Sequence, residues 1–145
     1  MTTVASILRH KGYQVVTVAP TASIAEVTHV LAEHHIGAVL VRDTADQLLG
    51  IVSERDIVRS LSRNGARTLD MTAGQLMTRA LRTATPQASV SEAMREMTAG
   101  RFRHLPVLDH NELVGVISIG DVVKARIMEQ EYEVESLRSY VAGSA

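Results

Sequence analysis

Apolar residues along this chain change period several times, and they do so twice in the same order. Branched residues crowd into short runs of strand length, "QVVTV" (Gln14 to Val18), "GAVLV" (Gly37 to Val41) and "LLGIVS" (Leu48 to Ser53). Between the first two, Ile24, Val27 and Leu31 recur at helical spacing. The succession returns as "LRTAT" (Leu81 to Thr85), then Val90, Ala93, Met94 and Met97, then "HLPVL" (His104 to Leu108) and "LVGVIS" (Leu113 to Ser118). A further helix follows each time. The pattern predicts two β-α-β-β-α units, from about Val15 to Arg63 and from about Leu81 to Met128, with strands apolar enough to be covered on both faces.

The repeat is literal as well as periodic. "TVAPTASIAEVTHVLAEHHIGAVLVRD" (from Thr17) aligns without gaps on "TATPQASVSEAMREMTAGRFRHLPVLD" (from Thr83) at an offset of 66. One residue is lost in the next turn ("TADQ" against "HNE"), so "LGIVSERDIVR" (from Leu49) meets "VGVISIGDVVK" (from Val114) at 65. A shorter match precedes each copy, "TVASIL" (from Thr3) and "TAGQLM" (from Thr72), each read as a lead-in helix. Taken in chain order, the organisation is a first repeat with its lead-in over 4–63, a linker over 64–71, a second repeat with its lead-in over 72–128 and a helical tail over 129–145. Pro20 and Pro86 close the first strands, and Ser23 with Glu26 and Ser89 with Glu92 predict capping boxes at the following helices. A unit of this size buries little surface alone, so the halves are expected to pack together.

Composition narrows the classes. Hydrophobic residues make up 46% and aromatics 3%, so an aliphatic core is expected. A formal charge of −1 gives no general grip on nucleic acid. The absence of cysteine excludes disulfides, thiolate catalysis and Cys-based zinc sites. "MTTVASILRHKG" lacks a signal-peptide run, and no stretch approaches the roughly 20 apolar residues of a membrane span. The expectation is a soluble cytoplasmic protein. His29, His34 and His35 lie five and six positions apart, off a common helix face and without a completing carboxylate, so no metal is expected. No nucleophile elbow, phosphate loop or metalloprotease helix appears, and no enzyme is expected.

The repeated strand-to-helix corner carries the remaining chemistry. Ser53 with Asp56 and Ser118 with Asp121 keep the spacing of a helix N-cap and its third residue, which capping alone explains. The other reading is a nucleotide site. A helix start offers amides to a phosphate, the hydroxyl adds a donor, and an Asp one turn on accepts from ribose hydroxyls. Gly37-Ala38 and Leu105-Pro106 supply flat walls for a base. In "SIGD", Ser118-Ile119-Gly120-Asp121, the glycine admits a phosphate to the backbone, with Arg103, His104 and Lys124 as nearby cations. His104 reads either as a neutral strand-edge residue or as a phosphate donor that strengthens binding in mild acid. In "SERD" Arg55 suits a phosphate while Glu54 opposes one, so the second copy is expected to bind more tightly.

The doubled β-α-β-β-α units, the "G-h-h-S-x-x-D" endings and "RHLPVLD" resemble the tandem CBS-domain (cystathionine β-synthase motif) pair, over roughly Val4 to Met128. The resemblance implies an α/β (α+β) fold of two CBS repeats about a pseudo-two-fold axis, with adenosine compounds held in clefts between the repeats. Carried over by position, Asp56 and Asp121 bind ribose hydroxyls, and Ser53 and Ser118 bind phosphate or ribose. Thr17-Val18, Thr83-Ala84, Gly37-Ala38 and His104-Leu105 line the base pocket. The implied function is a regulatory module, a homodimer acting on an unidentified protein, binding AMP, ADP, ATP or NAD without a metal. S-adenosylmethionine binding and a non-binding dimerisation scaffold are the alternatives.

The tail adds a separate signal. Val123, Ile127, Gln130, Val134, Leu137 and Val141 follow alternating steps of four and three, a heptad seam set among Glu129, Glu131, Glu133 and Glu135. Such a helix packs on its own domain, on a second copy or on another protein.

Overall fold

The computed structural model describes residues 2–79 and 81–143, and Ser144 and Ala145 of the expected tail lie outside them. In chain order the elements are α1 (Val4–Lys11), β1 (Thr17–Val18), α2 (Ile24–His34), β2 (Ala38–Arg42), β3 (Leu48–Ser53) and α3 (Glu54–Asn64). A 3-10 helix (Gly65–Asp70) follows, then α4 (Ala73–Leu76), α5 (Val90–Gly100), β4 (His104–Asp109), β5 (Glu112–Ser118) and α6 (Ile119–Gly143). They gather into two units, one of Val15–Leu81 and one of Met1–Gln14 with Arg82–Ala145.

In the first unit β1 runs parallel to β2, and β2 pairs antiparallel with β3. Ile24, Val27 and Leu31 of α2 close over Val39, Val41 and Val52 of the sheet, as the helical spacing predicts. The stretch read as a linker is folded: the 3-10 helix buries Thr68, whose hydroxyl lies 2.9 Å from that of Ser60.

In the second unit Val90, Ala93 and Met97 of α5 pack on Leu105, Val107 and Ile117 of the β4–β5 hairpin. The strand expected over Leu81 to Thr85 shrinks to a single bridge, Ala84 with Val107. The cause is one residue. In the first unit Leu40 donates its amide to Val16 O, and the residue at that position of the second copy is Pro106, which has no amide hydrogen.

The capping boxes expected at α2 and α5 form only by half. Ser23 Oγ accepts from Glu26 N at 3.1 Å and Ser89 Oγ from Glu92 N at 3.0 Å, but the return bond from either carboxylate is not among the described hydrogen bonds. Complete boxes stand instead at α1, α3 and α4.

The lead-in segments change places. Val4 N donates to Ala88 O (2.9 Å), Ala5 N to Pro86 O (2.8 Å) and Val90 N to Thr2 O (3.1 Å), so α1 lies in the unit of the second copy. The same three bonds recur in the first unit: Ala73 N to Ala22 O (2.8 Å), Gly74 N to Pro20 O (2.9 Å) and Ile24 N to Met71 O (2.8 Å). Each copy is thus completed by the segment that precedes the other. Val4, Ile7 and Leu8 supply a third side of the second unit's core.

The exchange explains the motif glycines. A β-carbon on Gly50 would stand 2.7 Å from both Met77 Sδ and Thr78 O, and one on Gly115 would stand 2.6 Å from Leu8 Cδ2. The first glycine of "G-h-h-S-x-x-D" makes room for the incoming segment.

Candidate functional site

Strand register assembles the first corner. Ala38 pairs with Ser53 across β2 and β3, and Glu54 N donates to Gly37 O at 2.9 Å, joining four of the predicted positions or their neighbours. Thr17 and Val18 stand alongside Leu40 and Val41 in the same sheet. In the second unit His104 pairs with Ser118, and Ile119 N donates to Arg103 O at 2.8 Å. Ala84 joins through bonds to Pro106 and Leu108. Leu105 is 0% exposed and belongs to the core, leaving Arg103 and His104 at the positions that Gly37 and Ala38 hold in the first unit.

Both serine–aspartate pairs are capping boxes. Ser53 N and Ser53 Oγ each donate to Asp56 Oδ2 at 2.9 Å, and Asp56 N returns to Ser53 Oγ at 3.2 Å. Ser118 N donates to Asp121 Oδ2 at 2.8 Å, and Asp121 N to Ser118 Oγ at 3.1 Å. Two of the amides expected to face a phosphate are therefore already engaged at each helix start. At α6 the Gly120 amide is engaged by neither contact. A β-carbon on Gly120 would meet only Ser118 Oγ, at 3.6 Å, so the fold leaves space above it. The described bonds to both aspartates fall on Oδ2 alone.

One residue at this site went unread in the sequence. Lys11 Nζ lies 2.6 Å from Asp121 Oδ2 and 2.9 Å from Val116 O. In the first unit the carbonyl at the position of Val116 is that of Ile51, which accepts from Thr78 N at 2.9 Å. There the exchanged segment offers a backbone amide. In the second unit the segment is still helical at that point, and a lysine side chain replaces the amide. No local signal marks this, because Lys11 and Asp121 meet only through the exchange.

The second copy's candidates divide among three depressions of its unit. Asp121 and Lys124 line one of about 960 Å³ together with Arg9, His10 and Lys11. Thr83, Ala84 and Leu105 line another of about 500 Å³ beside α5. Ile119, Gly120 and Lys124 border a shallow apolar hollow of about 520 Å³ on α6. Among the described residues no group of three or more side chains is arranged to hold a metal ion. No helix among them is long and apolar enough to cross a membrane.

Residues 4–63 and 73–127 match the family described as the CBS domain. The chain belongs to the CBS-domain family. It carries two CBS repeats in a mixed α/β fold, and a CBS pair is a regulatory module. The CBS-domain containing protein ATU1752 of Agrobacterium tumefaciens is similar at 44% identity and a TM-score of 0.85, over 86% of this chain and 93% of that one. The CBS domain pair of protein MJ0100, solved in complex with 5′-methylthioadenosine and S-adenosyl-L-methionine, is similar at 26% identity and a TM-score of 0.77, over 90% and 98%. The mitochondrial CBS domain-containing protein CBSX3 of Arabidopsis thaliana is 37% identical over 117 residues, 78% of this chain. The match spans 57% of that relative's length.

At the second CBS corner burial of Asp121 is opposed by Lys11 and Ser118. Partial burial pushes the Asp121 carboxyl up. The Lys11 hydrogen bond, the Ser118 amide, the Lys11 charge and the Ser118 hydroxyl together outweigh it, so the group titrates below its ordinary 3.8. A lowered folded value stabilises the protein fully above the ordinary one, and that contribution is lost as pH falls through the folded value. Asp121→Asn is therefore expected to cost about 1 kcal/mol at neutral pH. The gap to the native chain should begin to narrow as pH falls below the ordinary 3.8 and close only below the lowered folded value. Urea unfolding of both chains from pH 7 down to about pH 2 checks this, and a gap that stays constant over that whole range contradicts it.

Proposed function

We propose that the chain is a sensing module that binds an adenosine-containing ligand at its strand-to-helix corners, performs no chemistry on it, and reports its presence to another protein. The observation that carries this reading is at the start of α6. Asp121 keeps its second carboxylate oxygen clear of the described bonds, and the space above Gly120 is open. Lys11 and Lys124 line the same depression as Asp121. A ribose hydroxyl donates to the free carboxylate oxygen, and a phosphate or carboxylate reaches Lys124, which borders both this depression and the hollow at Gly120, and through it the Gly120 amide.

At the first corner Asp56, Ser53 and Arg55 take the corresponding parts, with Gly37-Ala38 and Thr17-Val18 toward the base. Thr83-Ala84, Arg103 and His104 do so in the second copy. AMP, ADP, ATP and NAD fit this chemistry. S-adenosylmethionine is the second reading, favoured by the methylthioadenosine and S-adenosyl-L-methionine complex of the similar MJ0100 pair. Binding acts by differential affinity, favouring the arrangement that holds the ligand best. The module is also read as self-associating.

Gly120→Ala separates this function from a purely structural corner. The new methyl group fits the fold at 3.6 Å from Ser118 Oγ, so the thermal midpoint is expected to hold or rise. Affinity is expected to fall at least tenfold, about 1.4 kcal/mol. Calorimetry with AMP, ATP, NAD and S-adenosylmethionine on both chains reads it. Silence from all four ligands supports the scaffold instead.

A further inference from the structure

The helix that leaves the second corner is longer than its own unit uses. α6 spans 25 residues, and only Val122 is fully covered. From Gln130 to Gly143 every residue is exposed, some four turns of helix, a length that is marginal in water without a partner. Along it Ile127, Val134, Leu137 and Val141 are exposed by 49%, 51%, 64% and 59%. With Val123 and Gln130 they form the seam of alternating four- and three-residue steps.

The charges beside the seam determine what covers it. With Ile127, Val134 and Val141 at a and Val123, Gln130 and Leu137 at d, position g holds Arg126, Glu133 and Tyr140 and position e holds Lys124, Glu131 and Arg138. In a parallel pair each g residue meets the e residue five places on in its partner. Arg126 then faces Glu131 and Glu133 faces Arg138, and two-fold symmetry doubles both attractions. The antiparallel pair that overlaps the whole seam sets Glu131 against Glu131, Glu133 against Glu133 and Lys124 against Arg138. Every charged contact is then repulsive. Parallel pairing also brings Gln130 opposite its own copy, a polar layer of the kind that fixes register.

We infer that α6 pairs in parallel and in register with α6 of a second copy of this chain. The inference rests on the self-association read above and names its interface. Arg126 already donates to Glu129 within the chain, at 3.2 Å. Glu133 and Arg138 enter none of the ion pairs among the described residues, so they are the cleaner probe.

Sedimentation of the full chain across a concentration series tests the pairing. Glu133→Lys and Arg138→Glu are each expected to weaken dimerisation at least tenfold, because each sets like charges across the seam. An equal mixture of the two variants is expected to associate like the native chain, since the mixed pair restores both attractions, a rescue that misfolding cannot produce. The chain has no cysteine, so Gln130→Cys adds a lone thiol that should form an interchain disulfide under mild oxidation, whereas Glu135→Cys on the outer face should not. A native dimer that ignores both charge reversals, or that crosslinks through position 135 and not 130, overturns the seam and leaves self-association standing. A native chain that stays monomeric throughout overturns both.

Discussion

Gly50→Ala is expected to lower the stability of the protein by about 3 kcal/mol, the upper end of ordinary overpacking. The added methyl would stand 2.7 Å from Thr78 O and 2.7 Å from Met77 Sδ. Met77 can turn aside, but Thr78 cannot. Its carbonyl accepts from Ile51 N at 3.1 Å, and its amide donates back to Ile51 O at 2.9 Å, on the residue next to the glycine. Relief therefore requires breaking two backbone bonds or bending β3. Gly115→Ala meets a softer neighbour, the side chain of Leu8, and is expected to cost less. Chemical denaturation of the two variants side by side checks the ranking, and equal losses would show that the exchanged segments are no stiffer in one unit than in the other.

Leu8→Ala is expected to cost as much or more, about 3–4 kcal/mol, because a buried leucine removed from a packed core leaves a cavity as well as losing its transfer energy. Leu8 is 1% exposed and belongs to the core of the second unit. The informative measurement is the double variant. A methyl on Gly115 would occupy the space that Leu8 vacates, so Leu8→Ala with Gly115→Ala should be more stable than the sum of the single losses predicts. A coupling of about 1 kcal/mol is within the range of residues in direct contact. Strict additivity would mean that the two do not share that space.

Local signals were legible, and non-local ones were not. "LLGIVS" forms β3 over Leu48–Ser53 with the predicted limits, and "LVGVIS" gains only Glu112 to make β5. These runs are bounded by turns and by a capping serine, all written within a few residues of each other. The run at Leu81 reads equally well as a strand, yet its pairing depends on an amide that Pro106 lacks, some twenty-five residues away. The glycine of the repeated motif was visible as a repeat, but its reason, contact with Met77 and Thr78 or with Leu8, is a tertiary one. Lys11 could not be found at all from local pattern. It ends a short helix that sequence order assigns to the first copy, while its partner Asp121 stands in the second. At the corners themselves, spacing alone was compatible with capping as well as with ligand binding. Both aspartates are now seen in capping boxes through Oδ2.

The exchange of lead-in segments also bears on how such a chain arose. An ancestor with a single copy would have carried a helix unable to complete its own core, and would have matured only by lending that helix to a twin and borrowing one in return. Fusing two such genes end to end turns a bimolecular event into an intramolecular one at high effective concentration, and frees the two halves to diverge, as the lysine on Val116 O against the amide on Ile51 O illustrates.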